Sequence, residues 1–200
     1  MKDSYQLIAP YYNLLTKLVF GKHLREAKTC FISSLKSKKI LIIGGGDGLD
    51  YQEIQSDLTG EYWELSSSML ELAKGNLQKS ELHFYLGDFQ RKEDMLFDEV
   101  WFHFVLDTMS DEEIEGMLNE IKAVLTDKGR LYFVDFFQPV TTKQKLLNQV
   151  MIKFFRLFAS HKREDIPDYE IILKKNGWTF IEGKGFLKGW VKAQLWAKID

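Results

Sequence analysis

Four glycines and one aspartate occupy the five positions from Gly44 to Gly48, directly after an aliphatic run at residues 40–43. Glycines at the junction of a buried strand and a helix let the backbone approach a bound group closely, so such a loop can hold a phosphate or another part of a cofactor. The dinucleotide-binding spacing G-x-G-x-x-G is not met, because Leu49 or Tyr51 stands where the third glycine is expected. The spacing is G-x-G-x-G, and a purely structural tight turn is the alternative.

Two carboxylates further along the chain could complete a nucleoside site with this loop. Glu64 lies twenty residues after Gly44, at the end of a predicted strand, where it can accept hydrogen bonds from both hydroxyls of a ribose. Asp88 follows another predicted strand, in the sequence GDF, where it can accept from the exocyclic amine of an adenine. Each carboxylate alone is also explained as a solvated loop residue. The combination of the loop with both strand ends is what indicates a binding site.

Apolar runs that predict strands alternate with amphipathic stretches that predict helices. The strand candidates are Ile40–Ile43, Tyr62–Leu65, Leu82–Leu86, Val100–Val105 and Leu131–Phe136, and from Trp178 onward two further strands are joined around Gly183 to Gly189. Helical faces are predicted by Tyr51, Ile54 and Leu58, by Met69, Leu70, Ala73 and Leu77, and by Ile114, Met117, Leu118, Ile121 and Leu125. A long apolar helix is predicted over residues 143–158.

Helix boundaries carry recognisable signals. The serine cluster Ser66–Ser68 contains an N-cap, although the sequence does not show which serine it is. Ser110 with Glu113 predicts a capping box, and residues 127–129 predict the end of the helix that it starts. Strands that alternate with helices indicate an α/β fold with a mostly parallel sheet covered on both faces, and the two adjacent terminal strands suggest an antiparallel edge.

Composition bounds the class of protein. The chain has 200 residues, of which 45% are hydrophobic and 28% charged, which is typical of one globular domain. Cys30 is the only cysteine, so an intrachain disulfide is excluded. The opening residues lack the apolar core of a secretory signal, and Lys153 with Arg156 interrupts the most apolar helical stretch. We therefore expect a cytoplasmic protein with at most peripheral membrane contact.

The net charge of −2 hides an asymmetry along the chain. Residues 1–39 carry 8 basic and 2 acidic side chains, residues 40–120 carry 4 and 19, and residues 121–200 carry 15 and 8. A pI near 6.1 argues against general nucleic-acid binding, which needs a basic face. The basic ends could favour an anionic membrane surface, or they could simply solvate the protein.

The motifs resemble those of a known family. The segments ILIIGGGDG, YWELSSSMLELAKGN, LHFYLGDF, FDEVWFHFVLDTMSDEE and LNEIKAVLTDKGRLYFVDFF are similar, in that order and spacing, to successive motifs of class I S-adenosylmethionine-dependent methyltransferases. The resemblance covers residues 38–137. It implies a three-layer Rossmann-like sandwich whose seven-stranded, mostly parallel sheet has an antiparallel terminal strand, formed by a single domain over residues 1–200.

The resemblance also implies a role for individual residues, with S-adenosylmethionine as the cofactor and no metal. Gly44, Gly46 and Gly48 would approach its methionine part, Glu64 its ribose and Asp88 the adenine amine. The full set of cofactor-binding candidates is Gly44, Gly45, Gly46, Asp47, Gly48, Glu64, Leu65, Met69, Asp88, Phe89, His103 and Tyr11. Leu65 and Phe89 would sandwich the adenine, and His103 lies where the family's fourth strand delivers a residue toward the cofactor.

One position departs from the family pattern. An acidic residue is usual two positions before the first glycine of the loop, and here it is Ile42. Asp47 could supply a substitute charge for the ammonium group of the cofactor. The sequence GGGDG also occurs in polyamine synthases, but the acidic pair expected for a polycationic substrate is lacking in VDFF after the fifth strand.

Methyl transfer needs orientation more than an enzyme nucleophile, and a base helps when the acceptor is a hydroxyl or an acidic carbon. His103, Asp107 and His161 are candidate bases, with Asp135 and His23 as further ones, and each histidine could equally be a packing or surface residue. No single residue is assigned.

The first residues are loosely similar to the opening of ubiquinone and menaquinone biosynthesis C-methyltransferases. That similarity implies a helical lid over residues 1–36, with Tyr5, Tyr11 and Tyr12 over the cofactor, and an apolar acceptor pocket beside residues 143–158. Ordinary core packing is the alternative for these aromatic residues.

We therefore expect a methyltransferase that acts on a small or lipid-like acceptor, for which a quinone-like molecule is one candidate. A non-catalytic cofactor-binding or interaction protein on the same fold is the alternative, and an aminopropyl transferase is a further one.

Overall fold

The structure is a computed structural model, and it describes residues 20–32, 35, 37–92, 95–149 and 165–199. The predicted strand at residues 40–43 lies at the centre of its sheet. Within the described residues the sheet has seven strands. They are β1 (Lys39–Ile43), β2 (Thr59–Glu64), β3 (Glu81–Leu86), β4 (Phe97–His103), β5 (Leu125–Phe136), β6 (Trp178–Phe186) and β7 (Val191–Lys198). β1 is aliphatic because it has a neighbour on each side and layers on both faces.

The strand order is β3-β2-β1-β4-β5-β7-β6. Strands β1 to β5 pair in parallel, and β7 pairs antiparallel with both β5 and β6. The expected α/β fold with a mostly parallel sheet and an antiparallel terminal strand is confirmed. The order reverses between β1 and β4, so the carboxyl ends of β1, β2 and β4 meet at the edge where open sheets of this kind bind ligands.

Helices cover both faces. The described helices are α1 (His23–Thr29), α2 (Ser67–Asn76), α3 (Asp111–Val124), α4 (142–149) and α5 (Tyr169–Lys175), with 3-10 turns at Leu49–Asp57, Leu106–Thr108 and Leu187–Gly189. Tyr132 and Phe133 are neighbours in β5 and point to opposite faces. The Tyr132 hydroxyl donates to Ala27 O of α1, whereas the Phe133 ring lies 4.7 Å from that of Tyr169 in α5. The sheet is therefore the middle of three layers.

The predicted caps are present. The Ser66 hydroxyl accepts from Met69 N at 3.2 Å, which identifies it as the N-cap of α2. Ser110 and Glu113 form both halves of the capping box of α3, as predicted. The predicted end of that helix at residues 127–129 is wrong. α3 ends at Val124 and β5 begins at once with Leu125, because an irregular first stretch of β5 already pairs with Phe97 of β4.

Several boundaries differ from the sequence prediction. A 3-10 helix follows β1 where an α-helical face was expected, and Leu58 lies beyond it. β2 begins at Thr59 rather than Tyr62, and it ends before Leu65. Gly183 lies inside β6, because the turn between the last two strands comes later, at Leu187–Gly189. β7 lies between β5 and β6, so the two terminal strands form an antiparallel edge of the sheet, as predicted. No helix in the described ranges is long and apolar enough to cross a membrane.

Candidate functional site

The glycine loop leaves β1 in a conformation that suits glycine. Gly44, Gly46 and Gly48 have φ angles of 66°, 69° and 71°, a left-handed region that costs other residues free energy. A Cβ atom on Gly44 would lie 2.4 Å from Cγ2 of Val105, the second residue after β4. The loop is therefore packed directly against the segment that follows the fourth strand. Apart from its chain neighbours, no atom of the described residues lies within 4 Å of the position that a Cβ on Gly46 would take, so this part of the loop is open.

Glu64 joins the end of β2 to this loop. Its Oε2 accepts a hydrogen bond from Gly46 N at 2.9 Å, and its Oε1 accepts one from Ser66 N at 2.9 Å. The side chain is buried, with 8% of its residue surface exposed. A carboxylate offers about four acceptor positions, so such a group can also bind hydroxyls. The structure thus brings together the loop and the carboxylate that the sequence separates by twenty residues.

Two further contacts fix the loop, and sequence reasoning missed both. The Tyr62 hydroxyl donates to Gly46 O at 2.9 Å, and the Asn76 side-chain amide donates to Asp47 O at 2.9 Å. Oδ1 of Asp47 accepts from Leu49 N at 3.2 Å, which caps the start of the 3-10 helix. The predicted role of Asp47 as a partner for an ammonium group stays a prediction. The only sequence signal for Tyr62 was its place in a strand beside β1.

Ile42, at the position that is usually acidic, is a core residue. It is 1% exposed and in register with Tyr62 of β2 and Trp101 of β4. An acidic side chain here would be buried among aromatic rings. The local packing therefore matches the apolar residue that the sequence contains.

The predicted adenine residues follow β2 and β3. Asp88 is exposed, while Phe89 is 7% exposed and its ring meets that of Trp63 edge-on, 5.6 Å between centroids and 86° between planes. Leu65 is 63% exposed and Met69 is buried. Gly87 N donates to Glu64 O at 3.0 Å, so the turn that carries Asp88 begins beside the ribose candidate. These positions are compatible with the predicted adenine sandwich, which stays a prediction.

His103 ends β4 inside an aromatic cluster. Its Nδ1 lies 2.7 Å from the Tyr51 hydroxyl, and its ring centroid lies 4.6 Å from that of Tyr132 and 5.6 Å from that of Trp101. It is 3% exposed, and Nε2 has no hydrogen-bond partner among the residues that the structure describes. Burial, and next to it the positive charge of Lys28, lowers the pKa of His103 well below its usual value. A neutral, enclosed imidazole results, and direct contact with a cofactor stays a prediction.

Asp107 and Asp135 meet where β4 and β5 end. Asp135 is fully buried, and its carboxylate accepts from Phe136 N at 2.8 Å and from Asp107 N at 3.3 Å. Burial, and next to it the charge of Asp107, raises the pKa of Asp135 well above its usual value, whereas backbone N–H groups oppose this. Asp107 is only half-buried. The Asp135 carboxyl thus holds the short turn that presents Asp107.

Backbone strain marks the same segment. Phe104, directly after β4, has a φ of 62° although it carries a side chain, and its ring lies 5.1 Å from that of Phe136. A bulky residue in this region is uncommon and costs about 1–3 kcal/mol. No signal in the sequence predicts it, because glycine and asparagine are the residues usually found there.

Several predicted residues lie outside the described part of the chain: Tyr5, Tyr11, Tyr12 and His161, together with residues 150–158 of the predicted apolar helix. His23 is in α1, where it lies 3.2 Å from Glu26 in a surface pair. In the ranges that the structure covers, no three His, Cys, Asp or Glu side chains are grouped to hold a metal ion.

Comparison with known proteins agrees with this geometry. A family model described as a methyltransferase domain matches residues 40–129, from β1 to the start of β5. Residues 40–129 are therefore similar to methyltransferase domains. S-adenosylmethionine is the cofactor that methyltransferases of this fold bind. The expected resemblance to the class I methyltransferases is confirmed, whereas nothing in these comparisons bears on the looser resemblance to quinone C-methyltransferases.

Solved structures of methyltransferases share the fold. A TehB-like S-adenosylmethionine-dependent methyltransferase from Corynebacterium glutamicum has 15% identity and a TM-score of 0.65, with 98% of each chain covered. The mitomycin 7-O-methyltransferase MmcR has 17% identity and a TM-score of 0.70, with 99% of this chain and 61% of its own covered. CalO1, a methyltransferase of calicheamicin biosynthesis solved with SAH bound, has 16% identity and a TM-score of 0.67.

The chain spans 61% of MmcR and 57% of CalO1, so it corresponds to a part of those longer proteins. A sequence search against curated proteins gave no match. At identities below 20%, these solved structures establish the fold alone.

Proposed function

We propose that the protein transfers a methyl group from S-adenosylmethionine to a small-molecule acceptor. The observation that carries this proposal is the Glu64 carboxylate bonded to Gly46 N at the carboxyl edge of β1 and β2. It supports a site in which one carboxylate is in contact with the glycine loop and within reach of a ribose. The identity of the fold supports the same cofactor.

The residues present fit this cofactor. The open space beside Gly46 accommodates its methionine part, and Glu64 would accept hydrogen bonds from the ribose hydroxyls. Asp88 would accept from the adenine amine, and Leu65 with Phe89 would pack on the two sides of the ring. The exposed apolar surface of Leu65 has a use in this arrangement, because an adenine would cover it.

The bound cofactor supplies a methyl group on a positively charged sulfur, which makes the methyl electrophilic. The chain then has to orient the acceptor and take up its proton. We assign the uptake of the acceptor's proton to the Asp107 carboxylate for two reasons. Val105 of the same turn packs on Gly44, which brings the turn to the glycine loop. Asp107 is half-buried, whereas His103 is enclosed. For an acceptor hydroxyl, the new oxygen–carbon bond replaces the sulfur–carbon bond, and the proton moves to Asp107.

We assign the acceptor to small hydroxyl-bearing molecules. MmcR is a 7-O-methyltransferase of mitomycin by its description, and CalO1 belongs to calicheamicin biosynthesis. These are properties of those proteins, and they support an acceptor of the same class for this domain. The second candidate is a lipid-like or quinone-like acceptor that would be methylated at a carbon atom. The transfer experiment distinguishes the two.

Calorimetric titration with S-adenosylmethionine and S-adenosylhomocysteine tests the binding half of the proposal. We expect the wild-type protein to bind both, and Glu64→Gln to raise the dissociation constant about tenfold or more, since one oxygen can no longer accept. Glu71→Gln is the matched control, because Glu71 is exposed and pairs with Lys74 on the surface of α2. Absence of binding to the wild type would refute the proposal.

Transfer is tested with methyl-labelled cofactor and a filtered small-molecule extract. Label in an O-methylated product supports the proposed acceptor, and label in a C-methylated lipid supports the quinone-like one. Asp107→Asn should retain affinity for S-adenosylhomocysteine and lose most of the transfer rate. Binding without transfer to any fraction would favour a non-catalytic cofactor-binding protein.

A further inference from the structure

The connection from β3 to β4 is built without a helix in its described part. Residues 87–92 and 95–96 link the two strands, and they have to cross β2 and β1 because the sheet order is β3-β2-β1-β4. Crossovers between parallel strands usually carry a helix that covers the sheet. Here the described segment packs on β2 and β3 through Phe89 and Lys92, and it includes Asp88 and Phe89, the adenine candidates.

The surface under this segment is an aromatic pair. Trp63 of β2 and Tyr85 of β3 are stacked, with 4.5 Å between ring centroids and 21° between planes. Phe89 meets Trp63 edge-on, and Nζ of Lys92 lies 3.7 Å from the centroid of Tyr85. An ammonium group over an aromatic face is attracted by the negative charge of the ring face. Phe89 therefore rests on Trp63 and Lys92 on Tyr85, so both ends of the segment 89–92 contact this stacked pair.

A buried carboxylate holds the far end of the segment. Glu61 is 2% exposed, and it accepts from Nζ of Lys92 at 2.8 Å and from Nε1 of Trp63 at 2.8 Å. Burial acts to lower the pKa of Lys92, but the hydrogen bonds with Glu61 and Tyr85 outweigh it and raise the pKa above the usual value. The ammonium is therefore charged at neutral pH, and Glu61 has its opposite charge at hydrogen-bond distance.

The Lys92–Glu61 pair differs from the Lys74–Glu71 pair in the elements that it connects. The Lys74–Glu71 pair, at 2.7 Å, joins two exposed side chains of one helix turn. The Lys92–Glu61 pair joins the β3–β4 connection to the interior of the sheet, and Lys92 is three residues after Phe89. Movement of the ammonium away from Glu61 would leave the carboxylate buried without its partner, which is strongly unfavourable. The pair therefore stabilises the observed position of the segment.

We propose that the Lys92–Glu61 pair is a positioning device for adenine recognition, which fixes Asp88 and Phe89 at the height of the adenine. The proposal rests on the proposed cofactor site. Lys92 does not contact the cofactor. It acts through Phe89 and Asp88, which lie three and four residues before it in the chain. The pair thereby fixes the position of this loop on the sheet, a role that a crossover helix has in most connections between parallel strands.

The test compares S-adenosylhomocysteine with its deaminated analogue, S-inosylhomocysteine, in which an oxo group replaces the adenine amine. Asp88 can accept from the amine and is repelled by the oxo oxygen, so the wild type should prefer the adenine ligand. We expect Lys92→Met to weaken binding of S-adenosylhomocysteine about tenfold, which corresponds to the loss of one hydrogen bond to a charged group. The ratio of the two dissociation constants should fall toward one. Lys92→Arg should restore both.

Lys74→Met is the control, because Lys74 and Lys92 are similarly exposed, 45% and 41%, and differ in the burial of their partners. A wild type that binds neither ligand would refute the cofactor site itself. A Lys92→Met variant with wild-type affinity and preference would overturn the positioning role alone. Equal loss of both ligands, with a lowered unfolding temperature, would also overturn it, since general destabilisation does not change the preference.

Discussion

The Tyr51 hydroxyl and Nδ1 of His103 lie 2.7 Å apart in the core, between the 3-10 helix and the end of β4. Burial raises the pKa of Tyr51 well above its usual value, so the hydroxyl keeps its proton and can donate it. If it donates to Nδ1, the single proton of the neutral imidazole is on Nε2, and one polar group is left without a partner. The opposite arrangement leaves two, so the first is favoured.

Removal of the Tyr51 hydroxyl should destabilise the protein. Tyr51→Phe leaves both ring nitrogens of His103 buried without a partner, and we expect the free energy of unfolding to fall by about 1–3 kcal/mol. Urea denaturation measures it. A double-mutant cycle with His103→Phe should show that the two losses are not additive. Additive losses would mean that the hydrogen bond contributes nothing.

Acid should destabilise the protein through His103. The folded-state pKa of His103 is depressed, so the unfolded chain binds the proton first as the pH falls. Its contribution to stability is complete above the unfolded value near 6.5 and is lost as the pH decreases below it, with a slope of up to about 1.4 kcal/mol per pH unit. His103→Phe should flatten the profile between pH 7 and pH 5, while the exposed His83 replaced by Gln should not.

Asp135 should give a pH dependence of the opposite sign. Its folded-state pKa is raised, so its contribution to stability is present below the unfolded value near 3.8 and is lost as the pH rises through the folded value. In urea denaturation from pH 4 to pH 8, the stability of Asp135→Asn relative to the wild type should improve as the pH rises. Asp127→Asn, at a fully exposed side chain, should run parallel to the wild type. A parallel profile for Asp135→Asn would count against the buried carboxyl.

Glycine substitutions should separate packing from helix propensity. A Cβ on Gly45 would lie 2.4 Å from the Tyr62 ring, so Gly45→Ala forces that ring or the loop to move and should cost roughly 1–3 kcal/mol. Outside the backbone of its own helix and its chain neighbours, no described atom lies within 4 Å of a Cβ on Gly75 in α2, and Gly75→Ala should stabilise the protein by up to about 1 kcal/mol. Thermal unfolding of both variants checks this. Equal effects would mean that the loop has room for a side chain.

The outline of the fold could be predicted because its strands and helices have clear periods and caps. Residues 40–43 are aliphatic at every position, and Ser110 with Glu113 marks a helix start without reference to the rest of the chain. The placement of Glu64 beside the glycine loop follows from the same logic, since parallel strands bring their carboxyl ends to one edge. Local rules were sufficient for these features.

Other features depend on contacts between distant residues. Tyr51 and His103 are 52 positions apart, and nothing in either neighbourhood indicates that they meet. The 3-10 helix after β1 has a polar sequence with one buried residue, Tyr51, so its period gave little information. The positive φ of Phe104 is imposed by the surrounding packing, and its own side chain argues against it.

One pattern in the sequence was readable and was missed. In three strands a side chain with a carboxylate or amide stands two positions before a tryptophan and accepts from its Nε1: Glu61 with Trp63, Glu99 with Trp101, and Gln194 with Trp196. Residues two apart in a strand share a face, so a repeated E-x-W or Q-x-W predicts this bond. It also predicts that these polar residues are buried, which their types alone do not suggest.

The insertion of β7 between β5 and β6 has a consequence for the order of folding during synthesis. Within the described ranges β6 pairs with β7 alone, and the antiparallel neighbour of β5 is also β7. As the chain leaves the ribosome, β5 and β6 are made before the strand that joins them, so both present unpaired edges until residues 191–198 emerge. A chaperone that shields strand edges would be most useful to this protein in that interval.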